Sequence, residues 1–195
     1  MPEILKSDIS ILLKIKKQQY RNQLPPLALL VLAFLISFFF SAYNLRYLSW
    51  GLSLIAFVWY LYVGFCHRYK EKIPAPEEGA LLSPLTGKVR SLKRSSDIYQ
   101  LRISKSFLDS VEIRCPHTSA EWDKDALRVV FRDAPLVFRF ETEHLVKFAE
   151  TEMQPGNIIG MIVGSAVCSL NLQQNLMTAL KPGDICEGGF TPILD

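Results

Sequence analysis

The sequence predicts a membrane helical hairpin followed by a β-rich domain. Two long apolar runs fall before residue 66. Beyond residue 79 the pattern changes to short strand-like segments punctuated by turn residues. Near the C-terminus a Pro-Gly-Asn/Asp-Ile element occurs twice. A length of 195 residues suits one domain, or a small domain with a membrane segment. Apolar residues make up 49% of the chain, and their concentration in the first third is what separates the two parts.

Residues 1–23 read as an amphipathic cytoplasmic segment. Ile4, Ile9, Leu12, Leu13 and Ile15 form a loose apolar stripe, with lysines elsewhere, suited to an anionic leaflet or to packing on the following domain. Residues 24–66 read as a two-helix transmembrane hairpin. No acidic residue occurs from Ile9 to Lys70, and Leu24–Ala42 offers 19 residues whose only polar side chains are two serines. At the helical rise this run covers about 28 Å, close to the hydrocarbon thickness of a bilayer. Leu48–Phe65 is the second span, and Tyr43–Tyr47 is the expected turn. Two helices joined by a short polar turn keep backbone amides satisfied in lipid. Pro25 and Pro26 are expected in the first turn of the first span. Lys14, Lys16, Lys17 and Arg21 precede the hairpin, and Arg68, Lys70 and Lys72 follow it. By the positive-inside rule this predicts a two-pass protein of the inner (cytoplasmic) membrane with both termini cytoplasmic. His67 is expected at headgroup level.

Residues 67–79 are a Pro/Glu-containing linker, and residues 80–195 the β-rich domain. Strands are expected at Leu81-Leu82, Val89–Leu92, Tyr99–Ile103, Ser110–Ile113, Leu127–Phe131, Leu136–Phe140, Ile158–Val163 and Ala166–Leu172, with one helix at Glu141–Glu152. Gln154-Pro-Gly-Asn-Ile and Lys181-Pro-Gly-Asp-Ile lie 27 residues apart. In each, proline fixes one turn dihedral and glycine supplies the positive φ of the next, which makes a strand–turn–strand corner. Paired corners, with SPLTGKV (Ser83–Val89) as a third, are those of a barrel-sandwich-like fold.

A net charge of +3, without a basic stripe interleaved with aromatics, excludes a nucleic-acid partner. Cys66, Cys115, Cys168 and Cys186 are widely spaced and lack a CxxC pair, so neither a zinc site nor a disulfide framework is expected. Lys88 reads as a solvated turn charge, and His144 as a surface residue.

From about Phe65 onward the chain resembles the phosphatidylserine decarboxylase family in its short bacterial form. GFCHRYKEKIPAPEEGALLSPLTGKV (Gly64–Val89) resembles the family's basic and proline-containing stretch leading into SPADGKV. GMIVGSAVCSLNL (Gly160–Leu172) resembles GMIxFGSxVxxxLP, and LKPGDICEGG (Leu180–Gly189) resembles VxxGDxVxAGE. The resemblance implies that Ser165, following Gly164, is the pyruvoyl precursor. Its hydroxyl would attack the Gly164 carbonyl, helped by an Asp in the SPxDG segment and a His in a VHxN-like strand. Here Thr86 and Arg114 occupy those two positions. Threonine carries no charge, and arginine stays protonated and cannot act as base. His117, three residues beyond Arg114, is the candidate substitute. General-base help is typically worth about 10²–10⁴-fold, so its loss makes self-cleavage slow.

The leading expectation is therefore a membrane-anchored, unprocessed pseudoenzyme that binds a phospholipid headgroup or serves as a subunit of a membrane assembly. Its partners would be membrane lipid, other membrane-protein subunits or further copies of itself. No cofactor is expected unless Ser165 is converted to pyruvoyl. The first rival is an active pyruvoyl-dependent phosphatidylserine decarboxylase cleaved at Gly164–Ser165. The second is a structural barrel-sandwich adaptor.

Overall fold

The computed structural model describes residues 6–39, 43–70, 79–95, 98–123, 126–148, 151–173, 178 and 180–194. The chain divides into two compact units, Leu12–His67 and Arg68–Asp195 with Met1–Ile11. Two long apolar helices are followed by an antiparallel, β-rich region.

Helices α1 (Lys6–Phe39) and α2 (Tyr43–Cys66) are long and apolar enough to cross a membrane over Ile9–Phe39 and Leu45–Cys66. Phe34, Phe38, Trp50 and Leu54 are all more than 60% exposed, an arrangement costly in water and free of that cost in hydrocarbon. Two expectations are corrected. Pro25 and Pro26 lie inside α1, which runs unbroken through the anticipated boundary at residue 24. Tyr43–Tyr47 is the start of α2, not a turn. Proline removes a donor and crowds the preceding turn, but apolar helices tolerate it where neighbouring groups satisfy the freed carbonyls. The buried residues of α2 include Ser49, Ala56 and Val63, seven apart, while Ala33 is fully buried on α1. Ser49 and Ser53 supply a small-xxx-small spacing, with the Ser53 hydroxyl donating to the Ser49 carbonyl at 2.8 Å. The two helices meet where Asn22 Nδ2 donates to His67 Nε2 at 3.2 Å, while His67 Nδ1 donates back to the Val63 carbonyl at 2.8 Å. His67 is thus a buried cap on α2.

Among its described residues the second unit holds ten strands: β1 (Gly87–Ser95), β2 (Ile98–Lys105), β3 (Glu112–Arg114), β4 (Ala120–Trp122), β5 (Arg128–Phe131), β6 (Val137–Glu141), β7 (Leu145–Lys147), β8 (Ile158–Ile162), β9 (Ala166–Gln173) and β10 (Ile185–Cys186). They form a seven-stranded sheet in the order β10-β1-β2-β9-β6-β5-β4 and a three-stranded sheet in the order β3-β8-β7. Period-two alternation builds the larger sheet. Leu101 and Ile103 of β2, Phe138 and Phe140 of β6, and Cys168, Leu170 and Leu172 of β9 all point inward. Ile113, Ile159 and Ile162 of the smaller sheet enter the same core. β8 is buried at every residue, as the central strand of that sheet. The helix expected over Glu141–Glu152 is not formed. Glu141 still pairs with Val167, and Leu145–Lys147 pair with β8 from Ile162 to Gly160. The backbone groups of this segment are claimed by a neighbouring ladder, which outweighs its helical propensity.

The repeated element has the expected geometry. Gly156 and Gly183 have φ of 84° and 104°. Asn157 N donates to the Gln154 carbonyl and Asp184 N to the Lys181 carbonyl, both at 3.0 Å. The equivalence extends across the fold. The Gly156 amide donates to the Cys115 carbonyl, and the Cys115 amide to that of Asn157. Gly183, Val89 and Asp184 repeat this pair of bonds.

Candidate functional site

The candidate site is the corner where β8 turns into β9. β8 ends at Ile162 and β9 begins at Ala166, leaving Val163-Gly164-Ser165 as the connection. Gly164 has φ of 92° and open space where a Cβ would lie, so the backbone alone demands glycine there. Ser165 is exposed and Gly164 half-buried.

A lysine grips this corner. β2 places Leu101, Ile103 and Lys105 on its inward phase, and Lys105 is only 3% exposed. It pairs with Ala166 across the sheet. Its ammonium donates to three carbonyls: Gly164 at 2.8 Å, Ser106 at 3.1 Å and Asp109 at 3.3 Å. The carbonyl that Ser165 would attack is therefore polarised by a buried cation, the placement that stabilises an oxyanion. The Ser106–Asp109 turn is itself closed by the Asp109 carboxylate, which accepts from the Ser106 amide at 2.6 Å.

The next residues continue the cluster. Val111 accepts from the Ile162 amide, and the Ser110 hydroxyl donates to Thr86 Oγ1 at 3.0 Å. Thr86 Oγ1 also accepts from the Gly188 amide at 3.1 Å. Thr86 thus lies on the Ser110 side of the corner, with its oxygen already accepting two bonds.

Arg114 lies elsewhere. It pairs with Ile158 at the other end of β8, about 13 Å of strand from Ile162. Its guanidinium is buried and donates to the carbonyls of Gly156 and Lys70, both at 2.8 Å. Glu112 Oε1 lies 3.9 Å from it and accepts from the Lys70 amide at 3.2 Å. Arg114 and Glu112 thus fasten residues 68–70 along β3. His117 continues further in the same direction, past the end of β8. Its Nδ1 accepts from the Ser119 amide at 3.1 Å, and its ring packs 6.0 Å from that of Phe131. The register brings neither Arg114 nor His117 to Ser165. It does bring the main chain of His144, whose carbonyl accepts from the Val163 amide at 3.3 Å.

Sequence reasoning passed over Lys105, took Ser110 only as the start of a strand, and read His144 as a surface residue; its side chain is exposed. For Lys105 a signal exists, namely a charge on the inward phase of an alternating strand. Ser110 and His144 carry no comparable pattern. A separate depression of about 490 Å³ opens beside Trp122, Phe148 and Met153. The Lys147 ammonium at its edge donates to the Asp123 and Ala126 carbonyls at 2.6 and 2.8 Å. None of the residues singled out by the resemblance lines it. Burial pushes the Cys115 and Cys186 thiols up to about 11, a backbone hydrogen bond with His117 partly opposing this at Cys115 and the Asp184 charge adding to it at Cys186. Burial, with Cys186 nearby, pushes Cys168 up as well. Among the described residues no three His, Cys, Asp or Glu side chains gather into a metal site. Comparison with protein-family models, curated proteins and solved structures finds no match to this chain.

Proposed function

We propose that this chain is a membrane-anchored, phosphatidylserine-decarboxylase-like protein that stays uncleaved and acts at the membrane surface, binding a phospholipid headgroup or serving as a subunit of a membrane assembly. α1 and α2 cross the inner membrane with both termini cytoplasmic. The β domain is a barrel-sandwich; the matched bonds of Gly156 with Cys115 and of Gly183 with Val89 support that reading, because they relate two strand–turn–strand corners. The observation that carries the functional proposal is the engagement of the two residues at the family's chemical positions. Thr86 accepts bonds from Gly188 and Ser110, and Arg114 is locked to Gly156 and Lys70. Neither is disposed to take the proton of Ser165, and a hydroxyl without a base is a weak nucleophile.

Two observations favour the rival, a self-cleaving pyruvoyl-dependent phosphatidylserine decarboxylase. The Lys105 ammonium is aimed at the carbonyl that would become an oxyanion, and the His144 main chain adjoins Val163. Intact mass of the purified chain separates the readings. A single species near 22.2 kDa supports the proposal. Two fragments meeting at Gly164/Ser165, lost in Ser165→Ala, establish the rival, and loss in His144→Ala would then identify its base.

A further inference from the structure

We propose that the depression beside Trp122 is a binding site for a small organic anion, a carboxylate carried on an aromatic or branched apolar body. The site lies apart from the Ser165 corner and does not depend on the function proposed above. The corner follows Ile162, opposite Leu145, whereas the depression opens at Lys147 and Phe148, beside Gly160 and Ile159.

Three stretches of the β unit build it. β4 supplies Glu121 and Trp122, with Asp123 directly after it, and the end of β7 supplies Lys147 with Phe148 next to it. Thr151 and Met153 complete the lining, the Thr151 amide closing on the Phe148 carbonyl at 3.2 Å. At about 490 Å³ the space falls within the roughly 300–1,000 Å³ of small-molecule sites. Its apolar wall is fixed before a ligand arrives. Trp122 Nε1 donates to the Ile159 carbonyl at 2.9 Å, and the Phe148 amide donates to the same oxygen at 2.9 Å. A Cβ at Gly160 would lie 3.2 Å from Trp122 Cζ2, so glycine lets the indole seat against β8. Walls held in this way lose little freedom on binding.

The charges decide the class of ligand. Glu121 is paired with Arg132, and Asp123 Oδ2 lies 2.5 Å from Arg128 Nε, so both carboxylates have counter-ions. Lys147 has none among the described residues. Its ammonium donates to the Asp123 and Ala126 carbonyls at 2.6 and 2.8 Å, which leaves the third of its donors for an acceptor in the cavity. The same ammonium lies 5.3 Å from the centre of the Trp122 ring and covers the aromatic face that would otherwise draw a cation. Thr151 adds a hydroxyl that bonds to no described residue. A carboxylate can take both donors while its apolar body rests on Trp122, Phe148 and Met153. Its bond to the ammonium is charge-assisted, about twice as strong as a neutral one.

The test uses the full chain in phosphatidylcholine nanodiscs, with empty discs as the blank. Trp50→Phe and Trp59→Phe leave Trp122 as the one tryptophan of three, so its fluorescence reports on the cavity. The probes are 3-phenylpropionate, its neutral amide and 3-phenylpropylamine. The acid is expected to bind at least fivefold more tightly than the amide, and the amine weakest. Lys147→Met should bring acid and amide within twofold of each other. Thr151→Glu leaves the bonds of Lys147 in place and adds a carboxylate to the lining, so it should abolish the preference independently. Equal binding of acid and amide, tightest binding of the amine, a preference that survives both variants, or no response of Trp122 to any probe overturns the site. None of these outcomes bears on whether the Gly164–Ser165 bond is cleaved.

Discussion

Replacing Lys105 with methionine removes one ammonium and leaves three carbonyls to find other partners. Those of Ser106 and Asp109 belong to an exposed turn, where water can take over. The Gly164 carbonyl, in a half-buried corner at positive φ, is less easily rehydrated. A hydrogen bond to a charged group contributes about 1.5–3 kcal/mol, and an orphaned buried acceptor costs about 1–3 kcal/mol. Removing a buried cation gives part of this back, because its desolvation penalty disappears. The expected net loss is about 2–3 kcal/mol, or a drop in Tm of about 8–12 °C at roughly 4 °C per kcal/mol for a domain of this size. Thermal unfolding of the full chain in detergent, followed by circular dichroism in the β region, measures it. Lys93→Met, at an exposed β1 position, is the control and should leave Tm unchanged. A Lys105→Met protein as stable as that control would refute the idea that this lysine holds the corner together.

Arg114→Met should cost about 3–5 kcal/mol, because Glu112, 1% exposed, would keep a buried carboxylate without its cation. Adding Glu112→Gln should recover a substantial part of the loss, and denaturant melts of the two single variants and the double give the coupling. The buried thiols should react with a disulfide reagent at pH 7.5 at rates set by unfolding, rising to full reactivity in guanidinium. Their pKa values also fix the sign of a pH effect. Cys115 and Cys186 hold their protons more tightly folded, near 11, than at the ordinary 9.0. Their contribution to stability is complete below about pH 9 and is lost as the pH rises through about 11. Tm measured from pH 8 to 11 should fall across that window, and replacing both cysteines with alanine should flatten the fall.

The sequence made the corners legible because proline and glycine act on the backbone directly. Pro155-Gly156 and Pro182-Gly183 admit few geometries, and both adopt the expected one. What could not be read was their partnership with Cys115 and Val89, since hydrogen bonds between distant segments leave no local trace. The strand at Leu145–Lys147 was hidden for the same reason, its ladder being supplied by β8. Pro25 and Pro26 misled because their meaning depends on surroundings: a break in water is tolerated in an apolar helix. Ser165, Gly164, Thr86 and Arg114 were all visible as residue types. Their spatial relation was not, because β3 runs antiparallel to β8. Each step from Ser110 toward His117 therefore leads away from Ser165. Lys105 stood on the inward phase of β2, where a charge is conspicuous once the alternation is followed to its end.

The Gly164–Ser165 peptide bond is predicted to persist. Intact-mass measurement of freshly purified chain, repeated after days at 25 °C and after treatment with hydroxylamine, which cleaves esters and spares amides, tests it most directly. One species near 22.2 kDa under all three conditions is the predicted result. A C-terminal fragment beginning at residue 165 and blocked by a pyruvoyl group would contradict it.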